Sequence, residues 1–435
     1  MSQPLRLGIA GLGTVGIGLL RLLEANGALI AARAGREVQV TAVSAQSRAK
    51  DRGVDLAGYA WEDDMRDLAA RDDVDLVVEL VGGSEGPALD LAKASLAAGK
   101  GFVTANKAMI AHHGLVLAQT AEAQSAALKF EAAVAGGIPV VKGLREGAAA
   151  NAIDEIYGIL NGTCNYILSE MEATGADFGA VLSQAQELGY AEADPTFDIE
   201  GIDAAHKLAI LAAIAFGAEV DFEAVRVTGI TQVKAADIAQ ADALDFVIRL
   251  IAQADVEENG SGPSLLQRVR PCLVPKHHPL ASVDGPTNAV VAEGNFSGRL
   301  LFQGAGAGDG PTASAVMADI IDIARGDIGA PFSVPVETLT KMAPTEPGHR
   351  MERTYLRFTV ADRPGVLAEI TAAMRDAGVS IESIIQKGKA GEGGDVLVAM
   401  VTHEGHERSV RDALALLQGS DSLTGDPLVL PILRD

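Results

Sequence analysis

The chain is poor in thiols, in positive charge and in long apolar runs. Its two cysteines, Cys164 and Cys272, cannot build a disulfide framework or a four-ligand zinc site, and both lie in apolar surroundings. Such usage fits a reducing cytoplasm. Against 58 Asp and Glu stand only 35 Lys and Arg, a formal charge of −23. That field repels phosphate backbones and acidic lipid surfaces, which argues against nucleic-acid or membrane-surface partners. The longest apolar run, Leu208 to Phe216, is far short of the roughly 20 residues that span a bilayer. The opening segment MSQPLRLGIAGLG lacks the apolar stretch of a signal peptide. What is present is ordinary for a globular protein: 48% hydrophobic and 21% charged residues. The length of 435 residues accommodates about three domains of roughly 150 residues each.

The first 140 residues alternate short β-type runs with longer Ala/Leu-rich stretches, the rhythm of a parallel sheet covered by helices. Strands are expected at Leu5–Ala10, Val38–Ser44, Leu76–Val81, Gly101–Thr104 and Lys129–Ala133. A mixed α+β region follows. It has a strand at Glu155–Leu160, helices at Cys164–Ala173, Phe178–Leu188 and Ile202–Phe216, β-type runs at Phe246–Val256, Leu265–Val274 and Asn288–Phe302, and a helix at Thr312–Ala324. Residues 341–353, with two prolines and no apolar period, read as a linker. The remainder runs strand, helix, strand, strand, helix, strand, the ferredoxin-like βαββαβ order. The expected division is 1–140 with part of 305–340 for a nucleotide domain, 141–304 for substrate binding, catalysis and dimerisation, and 354–435 for a small third domain.

The strand LRLGIA runs into Gly11-Leu12-Gly13-Thr14-Val15-Gly16 and then an amphipathic stretch. Gly11 permits a tight turn, Gly13 leaves the backbone open to a pyrophosphate, and Gly16 allows close helix–strand packing. With those flanks the motif reads as a dinucleotide site on a Rossmann-type, doubly wound sheet. After the second strand no acidic residue appears until Asp51, whereas Ser44, Ser47, Arg48 and Lys50 could hold a ribose 2′-phosphate. NADP is therefore favoured over NAD, with Arg48 as a solvated loop cation the competing reading.

Three later segments place polar groups where packing would call for apolar ones. Lys107 follows the strand of FVTANK at the carboxyl edge, where open α/β sheets bind ligands. The run GYAEADPTFD brings Tyr190, Glu192 and Asp198 into one loop. Asp203 and Lys207 stand i, i+4 on a helix that is otherwise apolar all round. A buried helix does not carry an idle ion pair cheaply. Reducing an aldehyde by hydride requires a proton donor to the developing alkoxide, and a desolvated lysine such as Lys207 suits that role. Asp203 can orient it, and Glu192 or Asp198 can bind a substrate ammonium group. His206 points about 100° away and reads as structural.

In order and wording, GLGTVG, TANKAMIAHHG, ILNGTCNYIL, GYAEADPTFDIEGIDAAHKLAILA and FQGAGAGDGPTASAVMADI resemble the bacterial homoserine dehydrogenases. The resemblance implies NAD(P)-dependent interconversion of L-homoserine and L-aspartate 4-semialdehyde, on the route to threonine and methionine. It implies Lys207 as proton donor, Glu192 and Asp203 on the substrate, and Lys107 beside the cofactor and in proton transfer. Gly162, Thr163, Tyr190 and Asp198 complete the expected substrate contacts. Gly189 and Gly304 match positions near the cofactor. It also implies a monovalent cation, sodium in kind, on Glu131 and the carbonyls of Val134, Gly136 and Ile138. Gln46 departs from the pattern, since a basic residue is expected there.

The segment TVADRPGVLAEI resembles the opening of an ACT domain, an amino-acid-sensing module. Asp362, Gly365 and Val366 are the expected effector contacts, and threonine is the effector implied. Such modules usually pair, which points to a homodimer or homotetramer; a dimerisation module without ligand is the alternative. Two further readings remain for the whole chain: a semialdehyde dehydrogenase using Cys164 as nucleophile, and a non-catalytic amino-acid sensor that binds nucleotide.

Overall fold

A computed structural model describes residues 3–259, 262–387 and 395–434. The first unit comprises β1 (Leu5–Ala10), α1 (Thr14–Ala34), β2 (Val38–Ser44), β3 (Ala60–Glu62), β4 (Leu76–Glu79), α2 (Pro87–Ala97), β5 (Gly101–Thr104), α3 (Lys107–Ala123) and β6 (Leu128–Lys129). Its strands lie all parallel in the order β3-β2-β1-β4-β5-β6. This is the doubly wound arrangement, whose ligand crevice opens where the order reverses beside β1. Interior strands of such a sheet are buried on both faces, and in β1 Leu7 and Ile9 on one face and Gly8 and Ala10 on the other are all buried. Among the described residues α1 is the one helix long and apolar enough to cross a membrane. Here it is the crossover from β1 to β2, with Ile17, Leu19, Leu20 and Ile30 in the core.

Two details differ from expectation. The chain leaves β4 at Glu79, not Val81, because the Glu79 carboxylate accepts hydrogen bonds from the N–H groups of Val81 and Gly82 and bends the backbone. The strand expected at Lys129–Ala133 is only β6, followed by a 3₁₀ turn at Glu131–Ala133. The Glu131 N–H donates to Asp319 rather than to a strand neighbour.

The second unit adds α4 (Val140–Lys142), β7 (Ile153–Ile159), α5 (Gly162–Thr174), α6 (Phe178–Glu187), α7 (Thr196–Ile199), α8 (Ile202–Phe216), β8 (Arg226–Val227), α9 (Ala235–Ala243), β9 (Phe246–Asn259), β10 (Gly262–Pro275), β11 (Thr287–Gly294) and β12 (Gly298–Ala305). The run expected as Asn288–Phe302 is the hairpin β11–β12, turning between Gly294 and Gly298. The next helix, α10 (Asp309–Ala324), returns to the first unit, where Val316, Ile320 and Ile323 share a core with Leu19, Leu20 and Val78. The mixed sheet continues to β13 (Ala343–Pro344) in the order β12-β11-β7-β9-β10-β13.

Residues 341–353 are docked rather than free. β13 pairs with β10, Thr345 is buried, and Arg350 forms an ion pair with Asp255. The third unit holds β14 (Met351–Glu352), β15 (Thr354–Ala361), α11 (Val366–Asp376), β16 (Ile381–Lys387), β17 (Asp395–Thr402), β18 (Gly405–His406), α12 (Glu407–Leu416) and β19 (Leu428–Pro431). Its main sheet runs β16-β17-β15-β19, and Ile370, Met374, Val410 and Ala413 pack on Leu356, Phe358, Val398 and Met400. Asp237 of α9, fully buried, accepts from Arg357 Nε (3.0 Å) and Tyr355 Oη (3.2 Å) of β15. Breaking one side of such a buried pair costs about 3–5 kcal/mol, so this contact anchors the third unit on the second.

Candidate active site

A cleft of about 430 Å³ opens between the first two sheets. Val15 from the glycine loop lines one end, and Asn161, Asp198, Asp203 and Lys207 line the other. At the first end Gly11 adopts φ +100°, where a Cβ would lie 2.7 Å from the Leu80 carbonyl oxygen. A Cβ on Gly16 would approach the Gly11 carbonyl oxygen to 2.1 Å, whereas Gly13 faces open space. These contacts match the tight turn, close packing and open approach that a pyrophosphate on the N-terminus of α1 requires. Ser44 ends β2, and the Arg48 guanidinium lies 5.9 Å from the centroid of the Trp61 ring.

The charged end is organised around Asp203. Lys207 Nζ lies 2.7 Å from its Oδ2, and Lys107 Nζ, from the first turn of α3, 2.9 Å from its Oδ1. Asn161 Nδ2 donates to Asp203 Oδ2 (2.8 Å) and to Asp198 Oδ1 (2.7 Å). Lys207 also donates to the Leu160 carbonyl (2.8 Å), which accepts a second bond from Asn288 Nδ2 (2.9 Å). Burial acts to raise Asp203, yet the two lysines hold it well below the usual carboxylate range. For Lys207, burial outweighs Asp203 and lowers it from the ordinary lysine value. Burial also acts against Lys107, but Asp203, Asp198 and Glu192 together raise it. The site therefore holds one deep lysine made a stronger acid, one shallower lysine kept charged, and a carboxylate between them.

Gly162, Thr163, Gly189 and Tyr190 line the same cleft, and Thr163 Oγ1 donates to the Tyr190 carbonyl (2.8 Å). Burial and Asp203 raise Asp198. Glu192 is exposed and does not line the cleft; it reaches the site through its charge on Lys107. Gly304 does not line it either, and Gly306 and Ala307 take that place. Asn161 and Asn288 were not singled out in the sequence, where the first reads as a break before α5 and the second as one residue of a strand. Cys164 is buried and donates from Sγ to the Asp198 carbonyl, and burial raises its thiol well above the ordinary value. A thiol so held is no nucleophile.

Glu131 sits behind the cleft, accepting from the N–H groups of Val141 (3.0 Å) and Lys142 (2.8 Å). Burial and the neighbouring Asp319 push it up to about 7. In the third unit Asp362, Gly365 and Val366 line a pocket of about 180 Å³ at the N-terminus of α11.

A doubly wound sheet, a glycine loop fitted to a pyrophosphate and a lysine of lowered pKa in the adjoining cleft define a nicotinamide-dependent oxidoreductase. Family models match three stretches: a homoserine dehydrogenase NAD-binding domain over residues 11–131, homoserine dehydrogenase over 139–321 and an ACT domain over 354–418. A homoserine dehydrogenase of Pseudomonas aeruginosa is 43% identical, with 97% of each chain covered. The crystal structure of a homoserine dehydrogenase from Thiobacillus denitrificans superposes with a TM-score of 0.92 at 41% identity, covering 99% of each chain. A hyperthermophilic archaeal homoserine dehydrogenase in complex with NADPH matches with a TM-score of 0.63 at 26% identity, over 74% of this chain and 97% of that one. The chain belongs to the homoserine dehydrogenase family.

Proposed function

We propose that the chain reduces L-aspartate 4-semialdehyde to L-homoserine, reversibly, in threonine and methionine biosynthesis, with Lys207 delivering the proton. The observation that carries this reading is the Lys107–Asp203–Lys207 arrangement at the end of a nucleotide cleft. A reduced nicotinamide supplies the hydride. As negative charge develops on the aldehyde oxygen, Lys207 donates its Nζ proton, which its lowered pKa favours. Asp203 and the Leu160 carbonyl hold that amine in one orientation. Asp198 and Asp203 offer the substrate ammonium group a carboxylate, and Lys107 adds positive charge where the alkoxide forms.

Gly11, Gly13, Thr14, Val15 and Gly16 hold the pyrophosphate, and Ser44 with Arg48 favours NADP over NAD. The NADPH complex of the archaeal relative supports a nicotinamide cofactor. A monovalent cation suits Glu131 with the carbonyls of Val134, Gly136 and Ile138. Burial raises both Glu131 and Asp319, with Lys142 Nζ as a counter-charge 3.4 Å from Asp319 Oδ1 and Arg145 and Lys129 acting on Asp319 as well. Hard oxygen donors of this kind fit sodium.

The domain division is 1–140 with part of 305–340, then 141–304 and 354–435, joined by 341–353. Threonine is the proposed effector at Asp362, Gly365 and Val366, where a backbone-lined helix N-terminus suits a carboxylate. The exposed edge of β12 favours a homodimer or homotetramer, and the composition a cytoplasmic location. The reaction is tested by absorbance at 340 nm with L-homoserine and NADP⁺ or NAD⁺. Reduction of either cofactor is expected, and reduction of neither contradicts the reading. A flat activity response to threonine up to saturation removes the effector assignment.

A further inference from the structure

The Lys107 and Lys207 pair depends on two helices from different units. Lys107 opens α3 of the nucleotide unit, and Lys207 lies on α8 of the second. A further side-chain bond crosses the same seam: His112 Nε2 of α3 stands 3.3 Å from His206 Nε2 of α8. Two imidazoles at that distance share one proton, one ring donating and the other accepting.

Around this bond lies a group of rings with no place in the chemistry above. His206 stacks on Phe222 with centroids 4.2 Å apart, and Phe222 meets His112 edge-on at 4.8 Å. Phe197, one residue before Asp198, lies 5.5 Å from His206, and its ring sits 5.8 Å below Lys107 Nζ. The cluster thus touches α3, α7, α8 and the segment after α8, and it reaches Lys107 from beneath.

His206 is buried, and its Nδ1 has no hydrogen-bond partner. Such a group costs stability that a hydrocarbon ring would not. Packing alone therefore does not account for an imidazole here; the bond made by Nε2 does. Burial and His112 lower His206 to about 4, so it stays neutral in ordinary buffers and the bond persists.

We propose that His112 and His206 are positioning residues: their bond fixes α3 against α8 so that Lys107 and Lys207 reach the two oxygens of Asp203 together. The proposal rests on the roles assigned to those lysines. It is tested on the full chain by steady-state reduction of the semialdehyde. His112→Ala truncates an exposed side chain and lowers thermal stability modestly, because the buried His206 Nε2 loses its partner, yet the enzyme stays folded at assay temperature with kcat lowered about tenfold and the cofactor KM within about twofold. His206→Phe keeps the ring stack, removes the bond and gives the same loss. Both losses shrink to less than about twofold in a Lys107→Ala background, because no lysine is left there to position. An unchanged kcat in His112→Ala overturns the proposal, and so does a His206→Phe loss of the same size with and without Lys107. Failure of the underlying roles looks different, since Lys207→Ala would then retain turnover.

Discussion

The two ends of the cleft work by different means. At the nucleotide end the chemistry is carried by backbone, and the side chains that matter are missing ones, Gly11 and Gly16, whose Cβ atoms would strike carbonyl oxygens. At the catalytic end it is carried by side chains drawn from α3, α8 and the turn before α5, which meet on one carboxylate. Backbone sites tolerate change in polarity but not in volume. Charged side-chain sites tolerate neither loss of a partner nor loss of register.

Substitutions sharpen that contrast. Asp203→Asn keeps the volume and removes the charge between the lysines, so kcat is expected to fall about 10³-fold with cofactor affinity retained. Asp203 raises Lys207 against the lowering by burial. Its loss lowers Lys207 further, and the pH at which reduction loses rate moves to lower values; a pH–rate profile checks the direction. Gly16→Val changes volume alone, and a fluorescence titration is expected to show cofactor affinity weakened about 100-fold, roughly 2.7 kcal/mol. Loss of kcat without loss of affinity would break the distinction. Arg48→Ala is expected to raise the KM for NADP about tenfold and leave that for NAD unchanged, one charge-assisted contact being worth about 1.5–3 kcal/mol. The smallest effect belongs to Cys164→Ser, which retains the donor to the Asp198 carbonyl. Activity within about threefold and indifference to iodoacetamide follow from a buried thiol.

The same contrast decides what was legible beforehand. Glycine spacing after a strand is a local signal, so the nucleotide end and the order of its main strands could be read directly. Asp203 and Lys207 were visible because a charged pair on an apolar helix is anomalous. Asn161 and Asn288 were not, since each is unremarkable locally and joins the cleft only when β7, α5 and β11 bring it to the Leu160 carbonyl or Asp203. Glu192 differs in the opposite way: its loop is rich in carboxylates, but its side chain lies at the exposed rim and acts on Lys107 by charge. β6 is shorter than local composition indicates because the Glu131 N–H donates to Asp319, 188 residues away. The hairpin β11–β12 read as one run because Asn295–Ser297 is a short break between two strands of similar composition.

The central claim is that Lys207 is the proton donor, and Lys207→Ala tests it most directly. Single-turnover reduction of L-aspartate 4-semialdehyde, followed at 340 nm, should slow by about 10⁴-fold while binding of the reduced cofactor, titrated by its fluorescence, is unchanged. Reduction at a rate within about tenfold of the unsubstituted chain would contradict the account.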